Sequence, residues 1–311
     1  MGAAGKGEVL VVTRDEILHA FERIRVWQGG GQRAPHKPLL ILFELGRLVA
    51  GQPALIDFND AEPKLRALLE EFGPWRKRQA PNLPFWHLQT DGLWELEGPD
   101  AILKRPPGAS ATVNELRTNH VRGGFPAPLR NALKNDRTLV ATLARRIVDA
   151  HFPDSIRGEV LCAVGLMDEV SGEAQIAPTR RRNPAFREKV LMAYQYRCGV
   201  CGLDLRLGRQ TICLEAAHIK WFQANGPDEV HNGIALCSIH HKIFDLGVFT
   251  IVPDTFEMIF SQELNGNDEA RDKLLSYHGA NLILPQSREY MPRDEFLHWH
   301  EKEVFKKPAR T

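Results

Sequence analysis

The spacing of apolar and polar positions predicts a series of helices separated by turns. From Arg14 to Trp27 the apolar residues recur close to helical spacing, and Thr13 followed by Glu16 is typical of a capping box. A second, almost wholly apolar run from Pro38 predicts a core helix that stops at Gly51. Similar patterns predict further helices over residues 62–72, 112–120, 126–150, 184–196, 232–244 and 288–306.

Short apolar segments bounded by turn residues predict strands between these helices. PFWHL and GLWELE flank QTDG, whose Asp91-Gly92 step favours a hairpin turn. A strand pair is expected near residues 211–219, and GVFTIV with TFEMIFS predicts a late hairpin. The pair Gly123-Gly124 is expected to separate two helices. The predicted fold class is therefore α+β.

Length and local composition indicate two domains. The chain has 311 residues, which suggests two domains or one large one. Residues 153–182 are rich in Pro, Gly, Asp and Arg, and are predicted to link a domain at 1–152 to a domain at 183–311. Within that segment EVLCAVGLM is apolar, so part of it is expected to pack on one of the domains.

The overall composition is that of an ordinary globular protein. Hydrophobic residues make up 43% and charged residues 25%, which excludes a disordered chain and a fibrous repeat. No stretch reaches the roughly 18 apolar residues of a membrane span. The first residues also lack the pattern of a signal peptide. We therefore expect a cytoplasmic protein that has no membrane partner.

The net charge of +1 conceals two basic clusters. One has seven Lys or Arg residues from Arg117 to Arg146, with Asp136 as its single acid. The other consists of residues 180–182, which are all arginine. Such clusters fit either contact with nucleic acid or a solvated helix face, and charge alone does not separate the two.

Four of the five cysteines fall within forty positions, which favours a metal site over disulfides. Cys198-x-x-Cys201 and Cys237-x-x-His240 supply two ligand pairs with the spacing of closed tetrahedral zinc sites. His241 is the alternative fourth ligand. A redox role for the CxxC segment is disfavoured, because no thioredoxin-like βαβ pattern surrounds it. The sequence thus predicts a structural Zn²⁺ ion.

A His, an Asn and a second His are interlaced with these cysteines. They are His218 in EAAHI, Asn232 in HNGIALC and His241 in IHHKIFD. In type and order they resemble the HNH nucleases with a ββα-metal fold, over about Arg182 to Val252. The resemblance implies that His218 is the general base on water and that Asn232 orients the loop or His218 itself. It also implies that His241 binds a divalent cation, Mg²⁺ or Mn²⁺, at the leaving 3′-oxygen.

One position departs from that family pattern. Many HNH sites carry an Asp metal ligand just before the first His, where this chain has Ala217. Glu215, on the same face of the predicted strand, and Asp245 are the candidate substitutes. The change is expected to shift the metal preference from Mg²⁺ toward Mn²⁺ or other transition ions.

The N-terminal half carries a second resemblance. HKPLLIL from His36, LPFWHL from Leu83, DGLW from Asp91 and NHVRGGF from Asn119 occur in this order. They resemble the sulfur-binding domain attached to McrA-like, modification-dependent HNH nucleases, over about residues 10–150. The resemblance implies recognition of phosphorothioated DNA, in which sulfur replaces one non-bridging phosphate oxygen.

A reader of this modification needs an apolar pocket for a large, weakly hydrated sulfur atom and cationic groups for the remaining phosphate charge. In the family an aromatic residue often precedes the pocket proline and a small residue follows three positions later, where this chain has Leu83 and His87. The expected residues are Leu83, Pro84 and His87 for the pocket walls, His36 and Lys37 for the DNA backbone, and Arg122, Gly123 and Gly124 for the modified phosphate or a neighbouring base.

Together these features predict a type IV restriction endonuclease with two domains, a mixed α/β sulfur-binding-type reader and a zinc-containing ββα-metal HNH nuclease. It is expected to cut double-stranded DNA near a phosphorothioate and so to defend against foreign modified DNA. Double-strand cleavage needs two cuts, so a homodimer, or two molecules that meet on one DNA, is expected. Two alternatives stay open: the same nuclease reading methylated or unmodified DNA, and a zinc-stabilised DNA-binding protein without cleavage activity.

Overall fold

The computed structural model describes residues 13–24, 34–106, 108–171 and 183–311. In the first half, strands β1 Ile56–Asp57, β2 Glu95–Glu97 and β3 Arg122–Gly124 form one antiparallel sheet in the order β1-β3-β2. Its helices are α1 Arg14–Glu22, α2 His36–Val49, α3 Phe58–Phe72, α4 Asn82–His87, α5 Asp100–Leu103, α6 Val113–Thr118, α7 Ala127–Asn135, α8 Arg137–His151, α9 Asp154–Ala163 and α10 Met167–Ser171.

Helix α2 is the centre of the N-terminal core, as its apolar run predicts. It contacts α3, α4, α7 and α8, and its residues from Pro38 to Leu48 are all buried. Glu44 is buried inside this core, where its carboxylate accepts hydrogen bonds from Arg47 at 2.5 Å and Arg130 at 3.1 Å. Burial raises the pKa of Glu44 to about 7, against the opposing pull of the two guanidinium groups. Because removing one partner would leave a buried charge, these three side chains fix how α7 docks on α2.

The glycine strand β3 lies over a cluster of aromatic rings. Phe85 packs edge-on against both Phe58 and Trp94, with ring centroids 5.0 and 5.4 Å apart. A Cβ atom on Gly123 would come within 2.6 Å of Trp94 Nε1 and 2.8 Å of Phe85 Cζ. Only a residue without a side chain therefore lets β3 approach these rings.

The second half is built around a β-hairpin followed by a helix. Strand β6 Leu214–His218 pairs antiparallel with β7 Gly233–Cys237, and α12 Ser238–Asp245 follows β7 directly. This is the ββα arrangement that the HNH resemblance implies. The remaining elements are α11 Pro184–Ala193, β4 Arg206–Leu207, β5 Gln210–Thr211, β8 Phe249–Ile251, β9 Met258–Phe260, α13 Asp268–Leu275 and α14 Asp294–Glu303.

The two halves contact each other directly. Ser155 on α9 donates a hydrogen bond to Asp245 on α12, and Lys242 on α12 pairs with Glu159 on α9. Trp221 and Trp299 belong to the hydrophobic core of the first half. Residues 154–171 of the expected linker are thus packed helices, as the apolar EVLCAVGLM run suggested, and residues 172–182 lie outside the described part of the chain. The domain boundary itself stays a prediction.

Some expected elements of the N-terminal half take another form. PFWHL lies in α4 and the 3-10 turn that follows it, because a short apolar run suits a buried helix as well as a strand. The expected hairpin around QTDG is therefore wrong, and β2 pairs with β3 instead. Gly123-Gly124 is likewise part of a strand and not an interhelical turn. The single helix expected at 126–150 is two helices, divided at Asp136, which caps α8.

The ends of other elements are corrected in the same way. The capping box of Thr13 and Glu16 is confirmed, but α1 ends at Glu22, and residues 25–27 lie outside the described ranges. The helix expected over 232–244 begins only at Ser238, because GIALC is a fully buried strand. The late hairpin is confirmed as β8 and β9. None of the helices in the described residues has the length and apolar character that a membrane span requires.

Gly123→Ala tests the packing of β3 on the aromatic cluster. Because the new methyl group must displace Trp94 or Phe85, we expect the free energy of unfolding to fall by about 1–3 kcal/mol in urea denaturation. Gly158→Ala on α9 is the control, since its Cβ would meet only the end of Met167 at 3.3 Å and alanine favours the helix. Equal stability of Gly123→Ala and the wild type would contradict this account of β3.

Candidate functional site

Three cysteines and one histidine meet at the start of α12. Cys198 and Cys201 lie in the knuckle after α11, Cys237 ends β7, and His240 lies in the first turn of α12. Their four ligand atoms all lie within 4.8 Å of one another, so the group could hold a metal ion. His240 and not His241 supplies the imidazole, with Nδ1 at 3.1 Å from the Cys237 sulfur.

Backbone hydrogen bonds hold the knuckle against β7. The amide of Gly199 donates to the Ala235 carbonyl at 2.7 Å, and the amide of Ile283 donates to Gly199 at 2.7 Å. Gly202 closes the turn in the left-handed region, with φ of 71°. These bonds bring the CxxC segment to the end of the strand that carries Cys237.

The thiols share charge in a way that suits metal binding. A hydrogen bond from Cys237 lowers the pKa of the Cys198 thiol to about 3, against the effect of burial. The same bond raises the pKa of Cys237, and burial raises the pKa of Cys201. One thiolate is therefore stabilised among three sulfur atoms, and a divalent cation would stabilise all three.

His218 ends β6 and is held from two sides. Its Nε2 atom lies 2.8 Å from the Asp228 carboxylate, in the loop between β6 and β7. The Phe186 ring of α11 stacks on the imidazole, with centroids 4.1 Å apart and planes at 16°. The side chain of His218 is 11% exposed, so a small reactant such as water can still reach the imidazole.

Asn232 fixes the loop that follows His218. Its amide oxygen accepts from the Lys220 backbone at 2.8 Å, and its amide nitrogen donates to the carbonyls of Lys220 at 2.9 Å and Pro227 at 3.0 Å. The loop is so tight that a Cβ on Gly226 would meet the Lys220 carbonyl oxygen at 1.8 Å. Of the two roles expected for Asn232, these contacts correspond to orientation of the loop.

His241 lies between two carboxylates. Glu215 is 2.6 Å from its Nδ1 atom, and Asp245 is 3.1 Å from its Nε2 atom. Burial disfavours the charged ring, but the negative charge of Asp245 and the hydrogen bonds to both acids outweigh it and raise the pKa of His241 to about 10. A cation that binds here must displace the imidazole proton. Ala217 is fully buried in the core, and the acids beside His241 are the two expected substitutes.

Asp245 has a further unusual feature. Its side chain is 2% exposed, and its Oδ1 atom is buried without a hydrogen-bond partner among the described residues. Its other oxygen, Oδ2, accepts a hydrogen bond from the Ser155 hydroxyl and also lies 3.1 Å from His241 Nε2. An unpaired buried oxygen is costly unless a cation or water satisfies it, so the donor set of one imidazole and two carboxylates fits a divalent cation.

Several expected reader residues meet at the N-terminal end of α2. Lys37 Nζ lies 2.5 Å from Asp91, and its charge, after burial, helps to lower the pKa of His87. The Nε2 atom of His87 lies 2.7 Å from the Ser110 hydroxyl. His87 lies in α4, where Pro84 is buried and Leu83 is 42% exposed. His36 is the half-buried first residue of α2.

Arg122 belongs to a different set of contacts. It is half exposed on β3 and pairs with Glu97 of the neighbouring strand. Gly123 and Gly124 beside it face Trp94 and the Ala54 carbonyl, so both are required for packing. Their expected role at a phosphate is separate from this one and stays a prediction.

Much of the first basic cluster is engaged within the protein. Arg130 is buried against Glu44, and four exposed or half-exposed arginines each pair with an acid. These pairs are Arg117 with Glu62, Arg122 with Glu97, Arg137 with Glu169 and Arg146 with Glu22. The second cluster, residues 180–182, lies outside the described ranges.

Comparison with known families accounts for both halves of the chain. A family model described as "ScoMcrA-like, DNA sulfur-binding domain" matches residues 14–169. The chain belongs to this family. A second model, "HNH endonuclease", matches residues 198–252, which include the Cys/His cluster, His218, Asn232 and His241. None of the curated proteins compared with the chain matches it.

Solved structures that resemble the chain are sulfur-binding domains and a larger enzyme. The sulfur-binding domain of ScoMcrA complexed with phosphorothioated DNA is 21% identical with a TM-score of 0.43, over 49% of this chain and 96% of that one. The corresponding complex of SprMcrA is 22% identical with a TM-score of 0.45, over 50% and 96%. The type IV phosphorothioation-dependent restriction endonuclease ScoMcrA is 18% identical with a TM-score of 0.43, over 70% of this chain and 43% of that one.

Three residues that sequence reasoning missed complete these sites. Asp228 contacts His218, Asp91 pairs with Lys37, and Ser110 contacts His87. Asp228 and Ser110 lie in irregular loops, where no periodicity marks a functional side chain. The Asp91-Gly92 step predicts a hairpin turn, and a turn residue gives no sign of an ion-pair partner.

Loss of one cluster thiol tests whether the Cys/His group binds metal. We expect Cys201→Ser to lose about one metal ion per chain by mass spectrometry, because three ligands hold a cation much less tightly than four. Its unfolding temperature should fall by about 10 °C, since metal binding and folding are linked. Cys162→Ser changes an exposed cysteine of α9 and should keep both values. Equal metal content in both variants would contradict a metal site at the cluster.

Proposed function

We propose that the protein is a modification-dependent DNA endonuclease that binds phosphorothioated DNA and hydrolyses phosphodiester bonds near the modification. One observation carries this proposal. A single chain joins a match to the DNA sulfur-binding family at 14–169 to an HNH endonuclease match at 198–252. The sulfur-binding domains of ScoMcrA and SprMcrA, which were solved as complexes with phosphorothioated DNA, support the choice of target. A role in defence against foreign modified DNA follows from that target.

In this proposal His218 accepts the proton of the attacking water, and Asn232 keeps the loop beside it in place. Two contacts support these roles. The His218 ring is held by a contact with Asp228, and the Asn232 amide hydrogen-bonds to the backbone of the loop. His241, Glu215 and Asp245 would hold the catalytic cation. When bound, that cation, Mg²⁺ or Mn²⁺ or another transition ion, stabilises the charge on the leaving oxygen.

Zn²⁺ is the ion proposed for the Cys/His cluster. Three sulfurs and one imidazole nitrogen are the donors of closed structural zinc sites, and oxygen-preferring cations are disfavoured there. The cluster residues Cys198, Cys201, Cys237 and His240 would then clip the knuckle to α12. This places the zinc ligand His240 next to the catalytic-cation ligand His241 in one helix.

The reader surface is proposed at the junction of α2 and α4. Leu83, the exposed apolar residue beside Pro84, would contact sulfur, and His87 would form another wall of the pocket. His36 and Lys37 would contact the DNA backbone. Arg122 would also contact the DNA backbone, by leaving its ion pair with Glu97 and binding a phosphate instead.

A second candidate function is DNA binding without cleavage. It is favoured by the two carboxylates that hydrogen-bond both nitrogens of His241, since an imidazole held in this way is not a preformed metal ligand. The presence of Ala217 favours the same reading. Methylated or unmodified DNA as the target, a homodimer and a cytoplasmic location stay expectations.

Cleavage is tested with two duplexes that differ by a single phosphorothioate. We expect the wild type to bind and, with Mn²⁺ or Mg²⁺, to cut the sulfur duplex preferentially. His218→Ala should cut at least 100-fold more slowly with unchanged binding, because it lacks the general base. His298→Ala changes an exposed histidine of α14 and should cut like the wild type. Equal binding of both duplexes would refute the sulfur reader, and full cutting by His218→Ala would refute the assigned base.

Leu83→Ser tests the apolar contact with sulfur. Because serine removes apolar surface without adding charge, we expect the preference for the sulfur duplex to fall about tenfold, which corresponds to ~1.4 kcal/mol. Affinity for the plain duplex should stay the same. Leu205→Ser is the matched control, since Leu205 is 44% exposed and Leu83 is 42% exposed. An equal effect of the two variants would contradict a sulfur contact at Leu83.

A further inference from the structure

One residue that contacts His218 is not among the three HNH positions. Asp228 Oδ1 lies 2.8 Å from His218 Nε2. The second carboxylate oxygen, Oδ2, accepts a hydrogen bond at 2.7 Å from the backbone amide of Asn183. Both oxygens of Asp228 are thus in use, which fixes the orientation of the carboxylate relative to the imidazole.

The start of α11 contacts both members of the Asp228–His218 pair. Asn183 caps this helix by accepting a hydrogen bond from the Ala185 amide at 3.0 Å. Phe186, one turn along, stacks on the His218 ring. The cap residue Asn183 binds Asp228, and Phe186 in the first turn covers His218. One end of α11 therefore sets the positions of both side chains.

Asn232 holds the backbone of the loop that carries Asp228. Its amide donates to the carbonyl of Pro227, the residue immediately before Asp228. Its other hydrogen bonds go to Lys220, at the opposite end of the same loop. The asparagine therefore closes the loop that presents Asp228, and Asp228 makes the contact with the base.

We infer that Asp228 is the positioning residue of the proposed hydrolysis, which fixes the tautomer and orientation of His218. This inference rests on the proposed function. A carboxylate at Nε2 favours the proton on that nitrogen, so the neutral ring carries its lone pair on Nδ1. In the reaction a water O–H bond breaks and an N–H bond forms at Nδ1. The resulting hydroxide oxygen bonds to phosphorus as the P–O3′ bond breaks, and the bonding pair of electrons leaves with the 3′-oxygen, which takes up a proton from solvent. The Asp228 carboxylate stabilises the imidazolium that results.

Asp228→Asn is the decisive variant, because it keeps the shape of the side chain and removes its charge. We expect the ¹⁵N NMR spectrum of the DNA-free protein to lose the Nε2–H tautomer of His218 or to show a mixture of tautomers. Single-turnover cleavage of the sulfur duplex should slow by about 10²–10⁴-fold, with unchanged binding. Glu229→Gln removes the neighbouring exposed charge and should leave both readouts as in the wild type.

Other outcomes are equally informative. A wild-type tautomer and rate in Asp228→Asn would overturn the inference. If that variant unfolds at a lower temperature, Asp228→Glu keeps the charge, and recovery of the Nε2–H tautomer by it would support the inference. If the wild type itself cuts neither duplex, the proposed function fails, and the tautomer comparison, which needs neither DNA nor catalytic metal, still decides whether Asp228 positions His218.

Discussion

The approach of three thiols and one imidazole at the start of α12 is the constraint on which the nuclease half depends. His240 is drawn into this cluster, and the helix turns by about 100° per residue, so His241 faces elsewhere. It meets Glu215 of β6 on one side and Asp245, one turn along α12, on the other. The cluster therefore sets the rotation of the helix as well as its position. This fixed rotation lets one short helix present His240 to the Cys/His cluster and His241 to the two carboxylates.

The candidate site was predictable where the chemistry demands unusual residues at a fixed spacing. Cys198, Cys201, Cys237 and His240 form the expected group, because a tetrahedral site leaves little freedom in ligand type or order. The carboxylates that contact the histidines could not be predicted from spacing in this way. Asp228 reaches His218 only after the loop is folded, and the aspartates of loops are common without any function. For the fold, α2 was evident from its apolar run, whereas PFWHL was not, because five apolar residues fit a helix and a strand equally well.

Internal ion pairing limits how the reader can bind DNA. Most arginines of the first basic cluster neutralise acids of their own domain, and Arg130 is buried with Glu44. These ion pairs reduce the positive charge that the cluster could offer to phosphates without regard to sequence. A reader with little general affinity gains relatively more from a single modified phosphate. Weak background binding is therefore compatible with high selectivity, and the small apolar surface at α4 suits that balance.

The contact of α9 with α12 has a consequence for exchanging the two halves between proteins. A nuclease piece that starts at residue 183 would lack Ser155 and Glu159, which hold Asp245 and Lys242. The carboxylate next to His241 would lose a hydrogen bond, and the back of α12 would be open to water. A chimaera that grafts a different reader onto this nuclease must therefore carry α9 along with the nuclease. The unit that contains the HNH match therefore overlaps the match to the sulfur-binding family by at least one helix.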